Sequence, residues 1–241
     1  MSDGVLERDA KGGADDDAPP KMHVDVISDV MCPWCYIGKR RLEMASDFLD
    51  GDIDLIVHWR PFQLDATLPD AGLDRKTYLE NKFGGPQRAA EIYAQIREAG
   101  AEERIKFRFD DITVSPNTLN AHRLIRFAGE TSPDVQDAVV EDLFDRFFLR
   151  GEHIGDLDVL GDAADQAGMD RDATIRRLAS DEARAETSAE VERAHTIGVT
   201  GVPCFIFDQS TVVMGAHPAD HLANAARHAL LQRTSGQAES A

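Results

Sequence analysis

The chain reads as an α/β protein, a small sheet drawn from both ends of the sequence around an all-helical insertion. Three observations predict this. Short, β-branched, alternating stretches occur near the start and again after Gly198. From about Leu73 to Ile197 apolar residues recur at helical spacing instead. A Cys-x-x-Cys motif, Cys32-Pro33-Trp34-Cys35, stands where the first strand hands over to the first helix.

The elements follow in order. His23 to Ser28 alternates as a strand, and Asp29-Val30-Met31 is a short loop into the motif. Pro33 suits the first helical position, where its missing N–H costs nothing. Tyr36, Ile37, Met44, Ala45, Phe48 and Leu49 then line one helical face, ending near Gly51. Ile53 to Trp59 is a second strand, stopped by Pro61. In the helical block, Arg75 to Lys82 is halted by Gly84-Gly85, and Pro86 opens a helix expected to stop at Gly100. Thr118 to Ala128 closes at Gly129, Pro133 to Leu149 at Gly151, and Asp156 to Ala167 at Gly168. Asp170 caps a short helix, and a longer one runs from about Asp181 to Ile197. Cys204 to Phe207 and Thr211 to Met214 form a hairpin across Asp208-Gln209-Ser210, and Pro218 to Gln232 is the last helix.

The implied organisation is an acidic, disordered tail at 1–22, a discontinuous sheet domain at 23–68 and 198–232, a helical insertion at 69–197, and a polar tail at 233–241. Composition narrows the function. With 26 basic against 44 acidic residues the net charge is −18. Nucleic acid and anionic membranes are poor partners for such a surface. No stretch approaches the roughly 18 apolar residues of a membrane helix. The N-terminal segment lacks the apolar core of a signal peptide, so a cytoplasmic location is expected. In a reducing compartment a close cysteine pair is more often catalytic or metal-binding than structural.

Zinc needs about four ligands, and the chain has no second Cys-x-x-Cys and no nearby His pair, so no metal is expected. At a strand-to-helix junction the motif points to thiol–disulfide exchange. A helix N-terminus carries partial positive charge and free N–H groups that favour a thiolate. Cys32 lies at that end and is the expected nucleophile; Cys35, one turn on, is the expected resolving thiol. Trp34 either lines a substrate surface or shields the disulfide. Gly198-Val199-Thr200-Gly201-Val202-Pro203 precedes the returning strand, and residue statistics alone favour a trans bond before Pro203. Cys204 reads as a small buried hydrophobe, with a third redox thiol as the alternative.

Together SDVMCPWCYIGKRRLE, HWRPFQLD, the segment from Asn117 to Leu124, and GVTGVPCFIF resemble the DsbA family of the thioredoxin superfamily, in its FrnE-like cytoplasmic subgroup. That subgroup is related to 2-hydroxychromene-2-carboxylate isomerases and kappa glutathione transferases. The resemblance spans about His23 to Leu231. It implies a thioredoxin-like fold, a redox pair at Cys32 and Cys35, and a cis-proline at Pro203. Val202 would then pair its backbone with substrate. Pro33 and Trp34 are further candidate substrate contacts. Protein or small-molecule disulfides are the implied partners, with no cofactor.

The alternatives are a glutathione-dependent isomerase or transferase, with glutathione as co-substrate, and a non-catalytic folding helper. Relatives with glutathione chemistry place Ser where Cys32 stands, which argues against the first. One departure concerns the buried acid that thioredoxin-like enzymes often carry six residues before the first Cys. Here that position is Val26. Asp29 either caps the helix and solvates the loop or serves as base to Cys35. Asn117 is a candidate N-cap, and His58, Trp59, Arg60, His122 and Arg123 read as structural.

Overall fold

A computed structural model describes residues 18–238. The expected disordered tail lies outside the described residues as far as position 17, and β1 (Lys21–Ser28) starts two residues earlier than expected. Met22, Val24 and Val26 are fully buried and alternate with more exposed neighbours, so one face of β1 meets the core. α1 (Pro33–Asp47) follows, and then β2 (Asp54–Pro61), parallel to β1. The chain returns as β5 (Cys204–Phe207) and β6 (Thr211–Met214), each antiparallel to its neighbour. The sheet order is β2-β1-β5-β6, so the strand that carries the motif is central.

Between β2 and β5 lie α2 (Arg75–Phe83), α3 (Pro86–Glu102), α4 (Leu119–Gly129), α5 (Pro133–Arg150), α6 (Leu157–Gln166), α7 (Arg171–Ala179) and α8 (Arg184–Thr196). Asp74, Ser132, Asp156 and Asp170 cap α2, α5, α6 and α7 through side-chain acceptors, which fixes where each helix begins. The block is not purely helical. β3 (Leu73–Asp74) and β4 (Val114–Ser115) pair in a two-residue ladder that ties the start of α2 to the approach of α4. Such short bridges carry no periodicity that a sequence pattern would reveal.

Three further boundaries differ from expectation. α3 runs through Gly100, because that glycine serves packing: a Cβ there would lie 2.3 Å from the Phe107 ring. α8 starts at Arg184, three residues late. α9 (Ala219–Ala238) continues through positions assigned to the polar tail, with Arg233 gripping Lys21 O and Asp208. Asn117 sits one residue before the N-cap position, Thr118, although its Oδ1 accepts from the Leu119 N–H.

α1 and α9 cover one face of the sheet, and α8 packs on the other. The α1 face opens into one apolar cluster shared with the helical block. Tyr36 stacks on Phe144 at 5.0 Å between ring centroids, and Phe107, Phe109 and Phe148 extend the stack. A charged seam locks α1 onto α5. Burial alone would push the Lys39 ammonium down, but Asp137, Glu141 and Glu43 outweigh it and lift it above its ordinary value. The outer edge of β2 is occupied at one rung: Gln136 of α5 accepts from Trp59 N–H at 2.9 Å and donates to Trp59 O and Ile125 O.

Candidate active site

α1 begins at Pro33 because Cys32 holds an extended backbone, φ −92 and ψ 114, in the N-cap position. The helix has no side-chain cap and no acid in its first turn. The positive end of its dipole is therefore directed at Cys32 without a competing carboxylate. The Cys32 thiol donates to Val202 O across 3.7 Å, and the Val202–Pro203 bond is cis. The trans bond favoured by residue statistics is thus corrected, in line with the family resemblance.

Pro203 can approach α1 because Gly38 has no side chain. A Cβ on Gly38 would stand 2.7 Å from Pro203 Cγ and 3.2 Å from the Phe205 ring. The sequence reading missed Gly38; its only signal was a glycine inside a strongly patterned helix.

Cys35 is fully buried one turn behind Cys32, and the two thiols are free rather than bonded to each other. Burial pushes the Cys35 thiol well above its ordinary value, and the hydrogen bond and charge of Cys32 add to the rise. The Asp29 backbone N–H offsets part of it. Ser28 Oγ is buried and has no hydrogen-bond partner among the described residues.

Asp29 does not cap α1. Its carboxylate is fully buried, accepting from Leu64 N–H at 2.8 Å and Met31 N–H at 3.4 Å, with His122 Nε2 at 3.3 Å from Oδ1. The loop before Cys32 is thereby tied to the segment after β2 and to α4. Arg123, next to His122, is structural: its guanidinium donates to the carbonyls of Arg177, Leu178, Ser180 and Glu182 that end α7. Trp59 is buried and its indole donates to Asp137, a packing role.

Cys204 faces the other side of the sheet, in a cluster with Ile27, Phe62, Ala194 and Val199. Burial alone raises its thiol. It is therefore not brought to the Cys32–Cys35 pair.

A cavity of about 270 Å³ opens beside Cys32. Trp34, 38% exposed, and Val202 form one wall with the buried Pro33; Arg75, Tyr78 and Tyr93 of α2 and α3 form the other. A larger hollow of about 500 Å³, between α1, β2 and α5, lies away from the thiols and is lined by the Lys39 seam. Among the described residues no group of three or more metal-ligating side chains gathers, and no helix is long and apolar enough to cross a membrane.

A family model for the DSBA-like thioredoxin domain matches residues 23–227. The chain belongs to that family. It is similar to the probable DsbA oxidoreductase SCO1869 of Streptomyces coelicolor, whose crystal structure superposes with a TM-score of 0.77 at 29% identity, covering 87% of this chain and 90% of that one. The protein YwbO of Bacillus subtilis is 28% identical over 203 residues, 83% of this chain and 92% of YwbO. A 2-hydroxychromene-2-carboxylate isomerase shares the fold at a TM-score of 0.62 and 16% identity, covering 91% of this chain and 99% of its own. The Cys-x-x-Cys pair of this chain occupies the N-terminus of α1.

Proposed function

We propose that this protein is a thiol–disulfide oxidoreductase in which Cys32 attacks and Cys35 resolves. The observation that carries the reading is the asymmetry of the pair. Both thiols are buried, but Cys32, 4% exposed, stands at an uncapped helix N-terminus and lines the cavity beside the Val202–Pro203 loop, while Cys35, fully buried one turn behind it, does not reach that cavity. Exchange needs an accessible first thiolate and a second thiol that only its partner can reach.

In the reductive direction, the Cys32 thiolate forms a bond to one substrate sulfur and the substrate disulfide breaks. The departing thiolate takes a proton. Cys35, once deprotonated, then attacks Cys32 Sγ, releasing the second substrate thiol and leaving a Cys32–Cys35 disulfide. The substrate gains the two electrons that the dithiol loses. Val202 and Pro203 would hold the substrate backbone, and Trp34 and Pro33 would contact it beside the sulfur. Two equivalents of a low-molecular-weight thiol would return the pair to the dithiol, themselves leaving as a disulfide.

The test uses Cys35→Ser and Cys32→Ser with insulin as disulfide substrate. Cys35→Ser is expected to accumulate a mixed disulfide through Cys32, visible by mass spectrometry, and Cys32→Ser to trap nothing. Glutathione conjugation that survives in Cys35→Ser, with no mixed disulfide, would replace this reading by the transferase. Client holding that survives loss of both thiols would replace it by the folding helper.

A further inference from the structure

Arg75 is an unusual charge to find beside a thiol. It opens α2, is only 4% exposed, and lines the cavity whose other wall is Cys32, Trp34 and Val202. A buried guanidinium ordinarily answers to a carboxylate, because an unpaired buried charge is costly. Here the side chain donates to Tyr93 Oη at 3.0 Å and lies over the Tyr93 and Phe147 rings at 5.5 and 5.3 Å. Burial pushes it down from its ordinary value, and the groups that offset this are the phenols Tyr93 and Tyr78 rather than any acid. A guanidinium stays ionised regardless. One of its five donors is used by a side chain, and its planar fork suits a carboxylate.

Tyr93 lines the same cavity as Cys32, and its hydroxyl accepts from Arg75. Burial raises the phenol, and Arg75 offsets part of the rise. The neighbouring Lys82 is already engaged, donating to Tyr78 Oη at 2.9 Å. The remaining wall is apolar, from Leu79, Phe83, Ile92 and Ile96. The cavity of about 270 Å³ sits at the small end for ligand sites. That space suits one short arm of a disulfide.

We propose that this cavity binds the carboxylate-bearing arm of a small organic disulfide, with the carboxylate on Arg75 and Tyr93 and the adjacent sulfur at Cys32. The inference rests on the exchange reading above and names a substrate class for the same site. Cys32 attacks the proximal sulfur, the disulfide breaks, and the distal half leaves as a thiol. Cys35 then displaces the bound half, so one equivalent of protein dithiol reduces one equivalent of disulfide.

Three disulfides of similar length separate the possibilities: dithiodipropionate, anionic; hydroxyethyl disulfide, neutral; and cystamine, cationic. Single-turnover oxidation of the reduced protein is followed by loss of free thiols. Dithiodipropionate is expected to react about tenfold or more faster than hydroxyethyl disulfide, the size of one charge-assisted hydrogen bond, with cystamine slowest. In Arg75→Gln the anionic-to-neutral ratio should collapse toward one, and in Arg75→Lys part of it should return. The ratio is taken within one protein, so loss of stability in a variant does not mimic the result. A second arm measures binding of the unreactive thioether thiodipropionate to the wild type and Arg75→Gln through Trp34 fluorescence.

Equal rates for the three disulfides, a ratio unchanged in Arg75→Gln, or thioether binding that ignores Arg75 would each overturn the proposal while leaving the exchange reading intact. Arg75-dependent thioether binding with no thiol oxidation by any disulfide would support this site and overturn the exchange reading instead.

Discussion

Cys204 and Phe205 are neighbours on β5, both buried, yet they belong to different halves of the molecule. Phe205 points with Val26 into the large cluster beneath α1 and α9, where the ring lies 3.2 Å from the position of a Cβ on Gly38. Cys204 points with Ile27 into a thin layer under α8, among four other buried side chains. The contrast teaches that burial alone does not give a cysteine a role. Cys35 and Cys204 both have raised thiols, but Cys35 is raised partly by a second thiol, and Cys204 by burial alone.

The sharpest test of this contrast is truncation on either side of β5. Phe205→Ala should destabilise by about 3–5 kcal/mol, because it empties the space that supports both α1 and Pro203. Denaturant unfolding of the reduced protein measures it, and a cost near 1 kcal/mol would mean the two faces are equivalent. Gly38→Ala approaches the same spot from the other side. Its added methyl must displace Pro203, so it should cost about 1–3 kcal/mol and slow exchange as well. Stability loss with unchanged exchange would separate the Pro203 loop from the chemistry.

A pH series compares the two raised thiols. A thiol held neutral in the fold and ionising near 8.5 when unfolded contributes stability that is complete below that pH. The contribution is lost as pH rises from about 8.5 toward the folded value, at up to about 1.4 kcal/mol per unit for each thiol. Reduced wild type should therefore lose stability above pH 8.5 more steeply than Cys35→Ala, with Cys204→Ala lying between them. Parallel curves for wild type and Cys35→Ala would remove Cys35 from the account. The smallest effect belongs to Cys204→Ala at neutral pH. The loss should fall below the roughly 2–5 kcal/mol of larger truncations, with insulin reduction unchanged. A large fall in turnover would give Cys204 a redox role.

Much of this was legible because the signals were local. The Cys-x-x-Cys motif, Pro33, Pro133, Asp156 and Asp170 act on their own turn of helix, so their positions fell where the pattern put them. Glycines were harder, because one residue type does two jobs. Gly84 and Gly151 end their helices with positive φ, 79° and 73°. Gly100 and Gly129 instead lie within helices and make room for Phe107 and Gln136. Nothing in the local pattern distinguishes these uses, since the partner is set by tertiary packing. The same holds for Arg75 and Tyr93, which meet 18 residues apart, and for Asp29 and His122, which meet across 93. Asp29 sits three residues from Cys32, yet its carboxylate is held by the Leu64 N–H and faces His122, both distant in the chain.

The Gln136 amide has a consequence for the assembly of sheets between molecules. A primary amide has the same donor and acceptor groups as a peptide unit, and on the rim of β2 it occupies the rung at Trp59. Gly129 is the counterpart that lets it in, since a Cβ there would lie 2.6 Å from Gln136 Nε2. A foreign strand aligning with β2 would find that rung already bonded and would have to expel a buried side chain to continue its ladder. The helical block thus occupies one rung of the rim, and the glycine that accommodates the amide does so by leaving a space the width of one methyl group.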